Sequence, residues 1–505
     1  MHKYFLGVDN GGTVSKAALF DETGQQIAQA SASVPMLTPK AGFTERDMEE
    51  LWQVTTQVIA KTIAKSNVKP EHIAGVACTG HGKGLYLWGQ DNKPLGNGII
   101  STDTRAWEYP QQWAQDGTAE KVFQKTYQDI LACQPVSLLN WIMDHEPGRL
   151  ANLQWIFEVK DYIRFRLTGE ALAEITDYSG SNLLNCATKS FDDELLALFD
   201  LEHLAHALPP LVSSDQLCGT ITDEAAALTG LKAGTPVAGG MFDIDACALA
   251  MDITNEDHVA VIAGTWSINE YISKKPVLDH SIMMNSLYCI DDYYVIEESS
   301  PTSASNHAWF VNTFMVEERM EAQKLGLHPY AYCDQLAEQI NPEDQHIVFL
   351  PYLYGANHNP QGKASLVGLS SHHSRAHMIR AVMEGIVFGH KVHLNRLLAN
   401  RSHTASVRLA GGVTASKLWT QMFCDIFELP VQIVKTAELG ALGCALAAAV
   451  ASGTYSSLEE AAAQMVKLGP IYQPQTKNSA IYAEKFALHE TVAKALEPTW
   501  PRFTT

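Results

Sequence analysis

Basic residues are in short supply. Thirty-six Lys and Arg face 56 Asp and Glu along 505 residues, a formal charge of −20, and that balance offers no basic surface to the phosphates of nucleic acid. Cysteine is sparse as well. The nine (78, 133, 186, 218, 247, 289, 333, 424, 444) are odd in number, scattered and never spaced as CxxC. They read as reduced core thiols and argue against a disulfide framework or a structural zinc site. No apolar stretch runs uninterrupted for the roughly 18 positions of a membrane span, and MHKYFLGVDN lacks the apolar segment and cleavage site of a secretory leader. What remains is a globular, cytoplasmic protein, with no membrane and no nucleic acid expected, and 46% apolar with 18% charged residues fits that class.

The chain is too long for one core, and two domains, 1–250 and 251–505, are expected. KYFLGVD, SKAALFD and QQIAQASAS, separated by turns, read as a three-strand meander. Thr44 with Asp47 reads as a capping box for a helix bearing Met48, Leu51, Trp52, Val58 and Ile59 on one side. HIAGVACTG returns as a strand, and TPVAGGMFD closes the half on another. The second half repeats the opening: DHVAVIAGTWSINEYIS is strand, Gly-Thr turn, strand. Such a duplication predicts two related α/β domains facing each other across a cleft, rather than a solenoid, since no short period is visible. Later, Ser374 caps a long helix from RAHMIRAV onward, VRLAGGVTASKLWTQMFCDIFELPVQIV reads as a βαβ unit, and ELGALGCALAAAVASG as a helix of small residues.

The stretch GVDNGGTVSK fits neither the GxGxxG dinucleotide spacing nor the GxxxxGK[ST] loop. It reads as a tight turn between antiparallel strands, with Asn10 and Gly11 tolerating positive φ and Gly12 letting a ligand approach the backbone. Its amides and Thr13 can face phosphate oxygens, Asp9 can hold Mg²⁺, and Lys16 adds a positive charge. The bland alternative is an ordinary Asn-Gly hairpin. The echo at Gly264 and Thr265, together with Gly411, Gly412 and Ser416 at a strand-to-helix turn, describes a clamped nucleotide. Asp243 in GGMFDIDACAL either caps a helix or orients and deprotonates a hydroxyl that attacks a γ-phosphate. Asp245, two residues on, is its neighbour in both readings.

These segments, with CTGHGKG at 78–84, STDTR at 101–105, FLPYLYG at 349–355, RAVMEG at 380–385 and GALGCALAAA, resemble in order and across almost the whole chain the FGGY carbohydrate kinases. The resemblance implies two actin-like (ribonuclease H-like) lobes of the sugar kinase, hexokinase and actin type with an interlobe active-site cleft. It also implies ATP with Mg²⁺, and phosphate transfer to a terminal hydroxyl of a small open-chain sugar. By motif position Asp9, Gly12, Thr13 and Lys16 are phosphate and metal residues, Asp243 the base, and Gly264, Thr265, Gly411, Gly412 and Ser416 nucleotide neighbours. Ser416 departs from the asparagine of some members, and Gly12 stands where threonine is frequent.

The acceptor implied is L-xylulose at its 5-hydroxyl, with D-xylulose, ribulose, a pentitol or gluconate as alternatives. A non-catalytic nucleotide sensor on the same fold is the reading from another class. Lys83 brings three donors and no acceptor, which suits a ketose oxygen or a carboxylate. Asp103 either accepts sugar hydroxyls or forms a loop ion pair with Arg105, and His81 lies beside the same loop. The histidines of HNP at 358–360, His372, His373 and His377 do not read as a metal site, and Trp52, Trp141, Trp155 and Trp419 read as core fillers. A homodimer is an expectation from family likeness alone.

Overall fold

The strand Tyr4–Asn10 turns back as Val14–Asp21 and again as Gln26–Ser33, both pairings antiparallel, in the meander the sequence predicts. This is a computed structural model of the protein, and it describes residues 2–282, 284–356, 361–436 and 438–503. On the other side of the first strand, Ile73–Gly80 runs parallel with Asp9 opposite Thr79, then Pro236–Ala238 parallel and Leu217–Thr220 antiparallel. Phe5, Leu6 and Val8 are all fully buried. A run of that kind, apolar on both sides of the pleat, marks a strand covered on both faces. One cover is the helix Met48–Ser66, which buries the expected Met48, Leu51, Trp52, Val58 and Ile59. Its cap is Asp47 alone, accepting from Glu50 N. Thr44 lies before the short strand Glu45–Arg46, outside the helix, and its amide donates to Asp103 Oδ2 at 2.7 Å instead.

The other cover is the helix Leu439–Ala451, whose small residues bring backbone against backbone. A Cβ on Gly7 would lie 1.8 Å from Ala441 O, one on Gly75 2.6 Å from Ala448 O, and one on Gly443 2.2 Å from Ala246 O. The packing is therefore interleaved along the chain. One compact unit comprises Met1–Thr254, Ile272–Ile296 and Glu438–Lys467; the other comprises Asn255–Tyr271, Glu297–Ala437 and Leu468–Thr505. The expected division at residue 250 follows the order of the sequence, whereas by contacts the Gly/Ala helix groups with the first unit.

The second unit repeats the succession of the first. His258–Ala263 and Ser267–Ser273 form an antiparallel hairpin, Ser406–Ala410 runs parallel to the first of them, Val431–Val434 parallel again, and Leu468–Tyr472 antiparallel. The helix Arg375–Ala399 starts at Ser374 as expected, with Ser374 N donating to His377 Nδ1 at 3.2 Å. Among the described residues no helix is long and apolar enough to cross a membrane.

Candidate active site

In each unit the residues singled out from sequence gather at the carboxyl ends of parallel strands, the edge where open α/β sheets bind ligands. In the first unit Asp9 is the last but one residue of its strand, His81 and Lys83 follow the next, and Asp243 follows Met241–Phe242, which pairs with Thr79 and Gly80. The turn after Asp9 differs from expectation. Asn10, Gly11 and Gly12 all avoid positive φ, and a Cβ on Gly12 would meet nothing within 4 Å. Threonine would fit there, so glycine is not required by the fold; it leaves the outer side of the turn bare. Thr13 is exposed.

Asp9 keeps some solvent contact yet lies deep among protein atoms. Burial pushes its pKa up to about 6 against the opposing charge of Lys16, with Glu438 adding to the rise. Lys16 Nζ sits 3.3 Å from Glu438 Oε2. Among the described residues Asp9 accepts no hydrogen bond, and none form a cluster of three metal-ligating side chains. A desolvated carboxylate without a protein donor fits a hard divalent cation that takes most of its ligands from water and phosphate.

Asp243 is the first residue of the helix Asp243–Ala250, and the cap position is Phe242. It is partly exposed, whereas Asp245 is fully buried, one oxygen accepting from Cys289 N at 3.0 Å and the other without a partner. Burial holds the Asp245 carboxyl well above the usual range. Of the two, Asp243 alone can reach a substrate. The Phe242 ring presses on Gly82, where a Cβ would come within 2.2 Å, and Lys83 Nζ lies 5.3 Å from the centre of that ring. Lys83 is half-buried and, among the described residues, pairs with no carboxylate. Its backbone is left-handed (φ 63), and its N–H donates to Glu158 Oε2 at 3.0 Å.

Two expected sugar contacts are already engaged. Asp103, 1% exposed, accepts from Thr44 N and from Arg105 N, Nε and Nη2, so the loop ion pair accounts for both its oxygens. Arg105 also reaches Glu45 at 2.7 Å and lies over the Phe43 ring at 4.1 Å. His81 is buried, its Nε2 3.0 Å from the Tyr86 hydroxyl; burial, with the Arg46 charge, drops its pKa to about 3.

Beneath Asp243 and Lys83 lies a group of buried charges that the sequence did not flag. Lys160 pairs with Asp161, Glu174 and Asp177 at 2.9, 3.2 and 3.3 Å, and Arg164 with Asp161 at 2.7 Å. All five side chains are fully buried. Thr176 Oγ1 accepts from Phe242 N and Arg164 donates to Gly239 O, so the charges hold the strand that presents Asp243. Removing one partner of such a buried pair costs about 3–5 kcal/mol, because it strands the other charge.

In the second unit a cavity of about 580 Å³ is walled by Gly264, Thr265, Gly412, Ser416 and Trp419, with His307 and Asp334 among its polar groups. Gly411 is required by the backbone: its φ is 101° and a Cβ would sit 2.4 Å from Ala263 O. Gly412 meets nothing within 4 Å and leaves the cavity wall flat. Ser416 caps the helix Lys417–Phe427 by accepting from Trp419 N at 3.1 Å, which explains a serine here, and it counters the rise that burial gives the Asp334 pKa. Trp419 is 5% exposed, Nε1 donating to Met383 O, so it fills the core and forms a wall at once. His307 is buried, its Nε2 lacks a partner, and burial drops its pKa to about 4. Asp334 and His307 carried no sequence signal, being single polar residues on helices. His373 and His377 accept from Ser370 N and Ser374 N and serve as turn partners; residues 358–360 lie outside the described residues.

Comparison with known proteins gives this geometry its context. Models of the N-terminal and C-terminal domains of the FGGY family of carbohydrate kinases match residues 4–250 and 259–452. A probable L-xylulose kinase of Pasteurella multocida (strain Pm70) is 35% identical over 499 residues, covering 98% of this chain and 99% of that protein. An L-xylulose/3-keto-L-gulonate kinase of Escherichia coli (strain K12) is 35% identical, covering 98% of each. The solved structure of a ligand-bound xylulose kinase from Lactobacillus acidophilus superposes with a TM-score of 0.89 at 25% identity, covering 99% of this chain and 100% of that one. The chain belongs to the FGGY family of carbohydrate kinases.

Proposed function

We propose that this sugar kinase transfers the γ-phosphoryl group of ATP to the 5-hydroxyl of L-xylulose, giving L-xylulose 5-phosphate and ADP. The observation that carries the substrate is 35% identity over nearly the whole chain to kinases named for L-xylulose. The chemistry follows from the site. Lys83, an ammonium that pairs with no carboxylate among the described residues, donates to the ketose oxygens and orients the sugar. Asp243 accepts the proton of the 5-hydroxyl as its oxygen bonds to the γ-phosphorus and the bond to the β-phosphate oxygen breaks. A strong base is not needed, since the hydroxyl becomes acidic only as that bond forms. Thr13 and the turn amides are donors to phosphate oxygens, and Gly264 and Thr265 form a second turn of the same kind. The adenosine occupies the cavity lined by Gly412, Ser416 and Asp334. Asp9 would hold Mg²⁺, which neutralises phosphate charge when bound. Nine free thiols fit a reducing, cytoplasmic setting.

A second acceptor, 3-keto-L-gulonate, is favoured by the same unpaired Lys83, because a sugar carboxylate would complete its ion pair. An ADP-release assay over L-xylulose, 3-keto-L-gulonate, D-xylulose, ribulose, pentitols and gluconate tests the reading. L-xylulose should exceed D-xylulose in kcat/KM by about tenfold or more. Absence of sugar-stimulated ADP release from every member of the panel would overturn it.

A further inference from the structure

The turn that carries Gly11, Gly12 and Thr13 rests on a buried charge. Arg46, from the short strand Glu45–Arg46, is wholly inaccessible to solvent, yet no carboxylate among the described residues pairs with it. The adjoining Glu45 is engaged by Arg105 and Asn97, and Asp47 caps the next helix. Arg46 Nη1 donates to Gly11 O at 3.2 Å, Nη2 donates to Gly12 O, and Nε has no partner. Arginine does not shed its proton, so the fold keeps an unneutralised guanidinium in its interior. Desolvating such a charge is unfavourable, and an apolar side chain of like size would avoid the cost.

What offsets it lies on the other side of the turn. In a planar trans peptide the C=O and N–H point in opposite directions, and the described chain has no cis bond. With the carbonyls of Gly11 and Gly12 drawn inward, the amides of Gly12 and Thr13, which share those two peptide units, face outward. Neither amide has a backbone acceptor among the described residues, and no protein atom lies within 4 Å of the open position at Gly12. The guanidinium also polarises both peptides in the sense that strengthens their N–H donors. His81, the buried ring next to this charge, stays neutral and adds no competing positive charge.

We propose that Arg46 is a positioning residue for phosphoryl transfer: it aims and polarises the Gly12 and Thr13 amides toward the oxygens of the group in flight. Preorganised donors of this kind act most strongly where charge develops in the transition state. The inference rests on reading the 11–13 turn as a phosphate cradle.

The test compares full-length wild type with Arg46→Met, Arg46→Lys and Gly12→Pro. It measures kcat, both KM values, thermal midpoint, and the affinities for ADP and for ADP with aluminium fluoride, a mimic of the transferring phosphoryl group. Arg46→Met should lower kcat by about 10²–10³, shift ADP affinity and sugar KM by less than about threefold, and abolish the tightening by aluminium fluoride. Arg46→Lys, which keeps a charge and a donor, should recover about tenfold of that loss. If Arg46→Met does not fold, Gly12→Pro, which removes one amide donor and keeps Arg46, should show the same kcat-specific defect. Variants in which kcat, KM and thermal midpoint decline together while aluminium fluoride still tightens ADP would overturn the inference. Arg46-dependent tightening in an enzyme that phosphorylates none of the tested sugars would uphold it and sink the acceptor assignment instead.

Discussion

Asp243 and Asp245 stand two residues apart and differ in everything that matters for proton transfer. Asp243 opens its helix with partial exposure; Asp245 is sealed, with burial raising its pKa and one oxygen held by Cys289 N. Asp243→Asn should therefore lower kcat by roughly 10² or more with the KM for ATP little changed. Asp245→Asn should leave kcat within about threefold, because a fully buried carboxyl cannot reach a substrate hydroxyl to act as its base. Equal losses in the two variants, by steady-state kinetics, would move the base role off Asp243. Asp334 titrates nearer neutrality. Burial at the wall of the second unit's cavity raises its pKa from 3.8 to about 6, Ser416 opposing and Glu338 adding. As pH falls through that value the carboxylate loses its negative charge and half its capacity to accept, so the KM for ATP should rise below about pH 6. In Asp334→Asn the KM should start higher and stay flat over the same range. For stability the sign is reversed: between 3.8 and about 6 the native state binds more protons than the unfolded one, so this group's contribution declines as pH rises through that window. From sequence, Asp243 was legible because glycines and a strand pattern flanked it. Arg46, Lys160 and Asp334 were not, because whether a charge is buried is decided by partners far along the chain, such as Glu174 for Lys160.

At the scale of elements, the hairpins, the βαβ segment and the Ser374 cap were readable from period and turn chemistry, whereas the small-residue helix yielded its existence but not its place. Leu439–Ala451 is apolar on every side, so no stripe announces which neighbour it will meet. What decides is the match of backbones: Gly7 and Gly75 on the sheet, and the helix's own Gly443 against Ala246, each stand where a side chain would strike a carbonyl. Gly7→Ala should accordingly destabilise the protein by about 3 kcal/mol, the upper part of the range for overpacking, since the obstacle at 1.8 Å is backbone and cannot rotate away. Gly264→Ala, where a Cβ meets nothing within 4 Å, is the control. Urea denaturation should separate the two, and similar midpoints would mean that the helix yields. The same contact reaches the chemistry, because Gly440 leaves room for Asp9: a Cβ there would lie 2.9 Å from Oδ2.

At the scale of the molecule, two copies of one strand succession have diverged in use. The first surrounds its sheet edge with charge: Asp9, Lys16, Lys83, Asp243 and the buried pairs beneath them. The second opens a cavity whose wall is mostly Ala, Gly and aromatic. Charge of that kind matches the hydroxyls of the proposed acceptor, and a small-residue and aromatic wall matches the planar base of the proposed donor. The chain's route ties them together, for the first unit is finished only when Glu438–Lys467 returns to it. Without the returning helix, the strands Tyr4–Asn10 and Ile73–Gly80 would show one apolar face to water, and Gly7, Gly75 and Ala246 would each lose a backbone neighbour. A fragment of residues 1–254 should therefore show no cooperative thermal transition by circular dichroism and should be degraded quickly by protease. Joining Ile272–Ile296 and Glu438–Lys467 to it through flexible Gly/Ser linkers should restore the transition. Cooperative unfolding of 1–254 alone would show that the meander and the helix Met48–Ser66 suffice for that unit's core, and that the Gly/Ala helix is needed only to seat Asp9.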